Sequence, residues 1–243
     1  MILDIPWALA VACVLMAFIG AVVQGTLGIG LGMVASPVLA LTDPDFIPGA
    51  VLLAVLPLTV GVAIGERASV DRRGVGLATA GRLPGTVIGA AAVAWTGPRF
   101  PATVVGVSVL LAVLASMTRV RFQPTDRALL VAGLASGFGA TTSGVGGPPI
   151  ALTYQHGDPA VMRSTISVFF TIGAVLSITA LWVAGSMTSR QVELAALLVP
   201  GVIAGFVVSR RFARLLRHER ARVGVLGLCA VAAIALLVEE YAL

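Results

Sequence analysis

Two stretches of the chain interrupt apolar runs with glycines at near-alternate positions. The first is Gln24-Gly25-Thr26-Leu27-Gly28-Ile29-Gly30-Leu31-Gly32, followed by Ser36-Pro37. The second is Gly139-Ala140-Thr141-Thr142-Ser143-Gly144-Val145-Gly146-Gly147-Pro148-Pro149. Such spacing fits a helix that stops, unwinds and restarts, because glycine accepts the left-handed and extended angles of an unwound segment. The helix that restarts presents free N–H groups and a partial positive charge, which favour an anion. Pro148 and Pro149 suit a helix start, where a missing N–H costs little. Gln24, Thr26, Thr141, Thr142 and Ser143 are neutral donors able to orient an oxyanion, and back-bonding to helix carbonyls is their alternative use. The chemistry this pattern points to is binding of a small anion by Gln24, Gly25, Thr26, Gly28, Gly30, Gly32, Pro37, Thr141, Thr142, Ser143, Gly144, Gly146, Gly147 and Pro148. Close helix packing without a ligand is the rival reading.

Arg82 joins this candidate substrate-binding set as the one basic residue inside an apolar span. It is either a cationic lure for the substrate or a side chain that snorkels to the nearer interface. Tyr154 and Gln155 close the second short segment as gate residues or interfacial anchors. His156 and His218 form no ligand cluster, and Cys13 and Cys229 read as small apolar residues inside the first and last spans. No catalytic residues, metal site or cofactor are expected: P-loop, H-E-x-x-H and G-x-S-x-G motifs are all missing. Glu66 and Asp158 fall near segment ends, so no carboxylate relay is evident in mid-span.

These residues must be positioned by helices in lipid. Of 243 residues, 58% are hydrophobic and 11% charged, against about 25% charged in a typical soluble domain. Mean hydropathy is +1.03. A surface that apolar cannot face water. A span takes about 20 apolar residues, and suitable segments lie near 6–27, 46–65, 75–97, 99–118, 162–185, 190–209 and 222–241. Shorter stretches near 30–42, 127–141 and 145–156 predict broken or re-entrant helices. The N-terminal run lacks a basic leader and carries Asp4, so it reads as a retained span. The expected fold is an all-α polytopic membrane protein with about 8 transmembrane helices.

Every basic residue is arginine, and position shows that the excess is not for nucleic acid. Arg67, Arg72, Arg73, Arg119, Arg121, Arg127 and Arg163, with the run Arg210, Arg211, Arg214, Arg217, Arg220 and Arg222, fall on one set of linkers. The opposite set holds Arg99 and Arg190 with Asp43 and Asp45. Thirteen against two is a positive-inside pattern, which places both termini outside a cell (inner) membrane. The basic run also suits anionic headgroups.

The halves resemble each other at an offset of 116 residues. Gly28 and Gly30 match Gly144 and Gly146, and Pro84-Gly85-x-x-x-Gly89 matches Pro200-Gly201-x-x-x-Gly205. Pro44 and Pro159 match within a residue. The expected organisation is residues 1–118 and 127–243 as two inverted repeats, joined by a cytoplasmic linker at 119–126. Secondary transporters place their substrate sites between such repeats, at broken helices near the midplane.

The paired motifs LGIGLGMVASPVL and TSGVGGPPIAL resemble those of the sulfite exporter TauE/SafE family of small membrane permeases. The likeness covers the whole chain in length, repeat order and motif position. It implies roles for Gly28, Gly30, Gly32 and Pro37, and for Gly144, Gly146 and Gly147. It also implies export of sulfite or small organosulfonates. Leu31, where a glycine is usual, and Pro148-Pro149 depart from the pattern. The implied partners are a small anionic substrate and the lipid bilayer, with a homodimer left open. An anion channel, and a membrane assembly partner without transport, are the alternatives. An intramembrane enzyme lacks any assembled nucleophile, base or metal set.

Overall fold

The computed structural model describes residues 3–28, 30–65, 67–96, 99–117, 123–154, 157–212 and 219–242. Ile29, Glu66, Arg119, Arg121, Gln155, His156, Arg214, Arg217 and His218 lie outside the described residues, as do the side chains of Arg99, Arg220 and Arg222.

Among the described residues the chain forms ten α-helices. In the first half these are α1 (Trp7–Leu27), α2 (Leu31–Thr42), α3 (Gly49–Gly65), α4 (Arg72–Trp95) and α5 (Arg99–Met117). In the second half they are α6 (Asp126–Ser143), α7 (Gly147–Tyr154), α8 (Pro159–Val183), α9 (Ser189–Phe212) and α10 (Glu219–Ala242). Five segments are long and apolar enough to cross a bilayer: Trp7–Thr26, Arg72–Trp95, Pro159–Val183, Ser189–Arg211 and Gly224–Tyr241. Leu31–Thr42, Gly49–Gly65 and Phe100–Leu114 are apolar but shorter. The protein is a multi-pass membrane protein.

Local chemistry sets the helix ends. The side chains of Asp71, Thr125 and Asp158 accept from backbone N–H groups at the starts of α4, α6 and α8, each satisfying donors the first turn leaves unpaired. Pro159 opens α8, where its fixed φ fits. α1 and α6 both stop at a left-handed glycine: Gly28 has φ 72° and Gly144 φ 73°. That angle crowds any Cβ against the backbone, so glycine is the residue that fits.

Small residues let the helices meet backbone to backbone. A Cβ on Gly81 or Gly85 of α4 would lie 2.1 Å from the carbonyl oxygen of Leu130 or Leu134 on α6. A Cβ on Gly201 or Gly205 of α9 would lie 2.4 Å from that of Val14 or Phe18 on α1. In membranes this close approach is a main source of helix association. It gives the two matching P-G-x-x-x-G motifs a shared purpose: each docks the fourth helix of one half on the first helix of the other.

Two polar clusters mark the ends of the bundle. At one, Arg190 binds Asp43 at 2.6 Å and Asp45 at 3.3 Å, and its Nη2 donates to the Leu3 carbonyl at 3.2 Å. At the other, the Tyr154 hydroxyl donates to Asp71 at 2.8 Å, the Asp71 N–H donates to Thr165, and Arg73 binds Asp126 at 2.7 Å. Helix α4 runs from the second cluster to the first, since Ala94 and Thr96 border a cavity shared with Asp45 and Gln191. Hence α1 begins at the Arg190 end and α6 at the Asp71 end. Cys13 and Cys229 are buried and unpaired, in the apolar core.

Candidate anion site at the two helix breaks

The breaks at residues 28–30 and 144–146 meet inside the bundle. A Cβ on Gly147 would lie 2.8 Å from the Gly30 nitrogen, and one on Gly32 would lie 2.0 Å from the Gly144 carbonyl oxygen. From this meeting point α2 runs 12 residues to the Arg190 end and α7 runs 8 residues to the Asp71 end. At 1.5 Å per residue these are about 18 Å and about 12 Å, together close to the ~30 Å thickness of a hydrocarbon core.

A cavity of about 40 Å³ sits at this junction, bordered by Gln24, Gly30, Gly32, Arg82, Gly144, Gly146, Gly147 and Phe170. A water occupies about 10–15 Å³ by the same measure, so the space suits a group of a few non-hydrogen atoms. Seven of the residues singled out in the sequence therefore converge on one cavity.

Arg82 is its charged wall. The side chain is 1% exposed, so it does not snorkel: the close α4–α6 contact turns it inward. Its Nη1 donates to Ser136 Oγ and its Nη2 to Ser177 Oγ, each at 3.3 Å. The guanidinium carbon stands 5.0 Å from the Phe169 ring centre, within cation–π range. It lies against Gly173, where a Cβ would come within 2.2 Å of it. Nε has no hydrogen-bond partner, and among the described residues no carboxylate forms an ion pair with Arg82. A buried cation with only hydroxyl partners is costly, and an anion in the adjoining cavity would offset that cost.

The neutral donors divide. Gln24 Oε1 accepts from the Leu31 N–H and so caps α2, while its Nε2 has no protein partner. Thr141 shares a 2.7 Å hydrogen bond with Ser177, inside the Arg82 network. Thr26 donates to the Val22 carbonyl, Thr142 to Phe138 and Ser143 to Gly139. These three back-bond along their own helices and do not border the cavity. Gly25 borders a separate cavity near the Asp71 end. Pro37 is buried within α2, and Pro148 borders a groove of about 610 Å³ between α5, α6 and α7. The helix starts offer less than the sequence suggested. The Leu31 N–H is already taken by Gln24, and Pro148 and Pro149 bring no N–H to α7. The positive charge of the site is Arg82.

Ser136 and Ser177 were not singled out in the sequence. Ser136 donates in turn to the Gly146 carbonyl, so a chain of contacts joins Arg82 to the second break. The available signal was a serine beside glycine in the run Gly133-Leu134-Ala135-Ser136-Gly137, which marks a close helix face.

The family model of the sulfite exporter TauE/SafE family matches residues 13–236. The chain belongs to that family. The TauE/SafE match spans both breaks, Arg82 and both serines, so the cavity lies within the family's shared body. No curated protein and no solved structure gives a significant match to the chain. TauE/SafE membership makes the chain a membrane permease of a sulfite-exporting family.

Proposed function

We propose that this protein is a secondary transporter that exports small sulfur oxyanions, sulfite or simple organosulfonates, by alternating access. The observation that carries the reading is Arg82: a buried guanidinium without a carboxylate, facing a small cavity where two broken helices meet. The ligand it calls for is a compact anion of a few atoms. Gln24 borders the same cavity, and its unpartnered Nε2 supplies a second donor.

The halves act as inverted repeats in this proposal. The start of α1 at the Arg190 end and of α6 at the Asp71 end supports it, as does the reciprocal docking of α4 on α6 and α9 on α1. The Asp71 end faces the cytoplasm, because Arg67, Arg72, Arg73, Arg127, Arg163, Arg210 and Arg211 gather there. The Arg190 end faces outward, with Asp4, Asp43 and Asp45 around one arginine and with Trp7, Trp95, Trp182 and Tyr241 exposed as an interfacial belt. An anion leaving a cell held negative inside gains about 2.3 kcal/mol per charge per 100 mV, a driving force that does not require a coupled ion.

The test is counterflow of ³⁵S-sulfite in proteoliposomes. A carrier shows saturable exchange stimulated by unlabelled sulfite on the far side. Flux that neither saturates nor shows counterflow would replace the carrier with an anion channel, and no flux from folded, inserted protein would remove the transport reading.

A further inference from the structure

A second cavity, of about 140 Å³, opens at the Asp71 end. Arg163 and Arg210 both border it, with Ser209, Phe206, Gly25 and Gly61. The Arg210 guanidinium stands 5.7 Å from the Phe206 ring centre, which steadies its position. The glycines keep the space open: a Cβ on Gly25 would meet Ser209 Oγ at 2.2 Å, and one on Gly61 would meet Phe206 at 2.6 Å. Gly25 follows Gln24, whose amide borders the central cavity, so this turn of α1 is the wall between the two spaces.

The opposite end holds a counterpart. A cavity of about 340 Å³ there is bordered by Ile47, Val93, Ala94 and Asp45. At the 116-residue offset of the repeat, Ile47 matches Arg163, Val93 matches Ser209 and Ala94 matches Arg210. The same three positions thus border both cavities, with different chemistry. One copy carries two guanidiniums beside a serine that donates to the Phe206 carbonyl of its own helix, and the other carries three apolar side chains beside a carboxylate. Packing common to both halves accounts for the cavities. It does not account for two arginines appearing in only one of them.

We propose that Arg163 and Arg210 form a second oxyanion-binding subsite, a vestibule that holds a compact oxyanion before it reaches Arg82. Its ligand class rests on the carrier reading above. The geometry admits one chemistry from two sources, a dissolved oxyanion or a lipid headgroup phosphate. Among the described residues, the matching positions at the Arg190 end carry no cation, and Arg190 itself is bound to Asp43 and Asp45, so in this proposal the protein gathers anions at the Asp71 face.

The experiment is equilibrium binding of ³⁵S-sulfite to the purified full-length protein in uncharged detergent, with Arg82→Gln, Arg210→Ala and the double variant Arg163→Gln/Arg210→Ala compared. Arg210→Ala reproduces the residue at the matching position and sits at an exposed site, so it keeps the fold; helicity and a single elution peak check this. The expected result is one bound equivalent fewer in Arg82→Gln and one fewer in the double variant, relative to the unmodified protein. Full binding in the double variant would overturn the vestibule while leaving the central site intact. Loss in the double variant with full binding in Arg82→Gln would keep the vestibule and remove the central site. Absence of binding in every protein would overturn both. Adding phosphatidylglycerol assigns the source: displacement of the Arg163/Arg210 equivalent alone identifies a headgroup phosphate, and no displacement identifies a dissolved anion. Either outcome supports the subsite.

Discussion

Gly32 faces Gly144 across the two helix breaks so closely that a Cβ on Gly32 would lie 2.0 Å from the Gly144 carbonyl oxygen. The obstacle is backbone, which cannot swing aside as a side-chain tip can. Gly30, two residues away, differs: its Cβ would stand 3.5 Å from the Gly147 Cα, an ordinary contact, and its φ of −51° suits any L-residue. Gly32→Ala is expected to destabilise the protein by about 3 kcal/mol or more, the upper range for forced overpacking. Gly30→Ala is expected to fold and to lose flux, because its methyl enters the cavity. Thermal unfolding in detergent, read beside sulfite flux, separates the two effects.

Arg82 is expected to be costly for stability and required for function. Replacing a poorly compensated buried ion by an apolar side chain of similar volume is often neutral or stabilising by about 1–4 kcal/mol. Arg82→Met is therefore expected to unfold at the same or a higher temperature while sulfite flux falls to the protein-free level. A marked drop in stability would show that Arg82 is a structural tie and not a substrate group.

Ser136 and Ser177 hold the guanidinium on two sides. Hydrogen bonds to charged groups contribute about 1.5–3 kcal/mol each, and the 3.3 Å lengths place these at the weak end. Ser136→Ala and Ser177→Ala are each expected to raise the half-saturating sulfite concentration several-fold, with the larger effect at Ser136 because it also ties Gly146. Half-saturation curves from counterflow check this, and Ser177→Thr tests whether a hydroxyl alone restores the native value.

The sidedness of the bundle is open to labelling. Ala184 is exposed beside the Arg190 end and Ala68 is exposed near the Asp71 end, while Cys13 and Cys229 are buried. Ala184→Cys is expected to react with an impermeant maleimide in intact cells. Ala68→Cys is expected to react only after permeabilisation. The reverse pattern would overturn the proposed topology.

Much of the architecture is legible in the chain because lipid imposes simple rules. Apolar length marks five of the seven expected spans, while those near 46–65 and 99–118 come out as the shorter apolar helices Gly49–Gly65 and Phe100–Leu114. The alternate glycines mark both breaks at the residues where α1 and α6 stop. The 116-residue match of P-G-x-x-x-G motifs anticipates the reciprocal helix docking. The site was less legible. A hydroxyl near a break either points into a cavity or bonds its own helix, and the choice depends on rotamer and neighbours; Thr26, Thr142 and Ser143 took the second course. Arg82 could snorkel or turn inward, and what decided it was the approach of α4 to Gly133 and Gly137, a contact across more than fifty residues of sequence. Ser136 became a partner through that same contact and Ser177 through the separate approach of α8, 95 residues away from Arg82 in sequence, so no local pattern announced them.

The most direct measurement is ³⁵S-sulfite efflux from proteoliposomes under a potassium-set voltage, with unmodified protein and Arg82→Gln side by side. Saturable efflux that rises as the interior is made negative, and that Arg82→Gln abolishes in a folded protein, is the expected result. Efflux in Arg82→Gln equal to that of the unmodified protein would contradict the central claim that this buried arginine binds the transported anion.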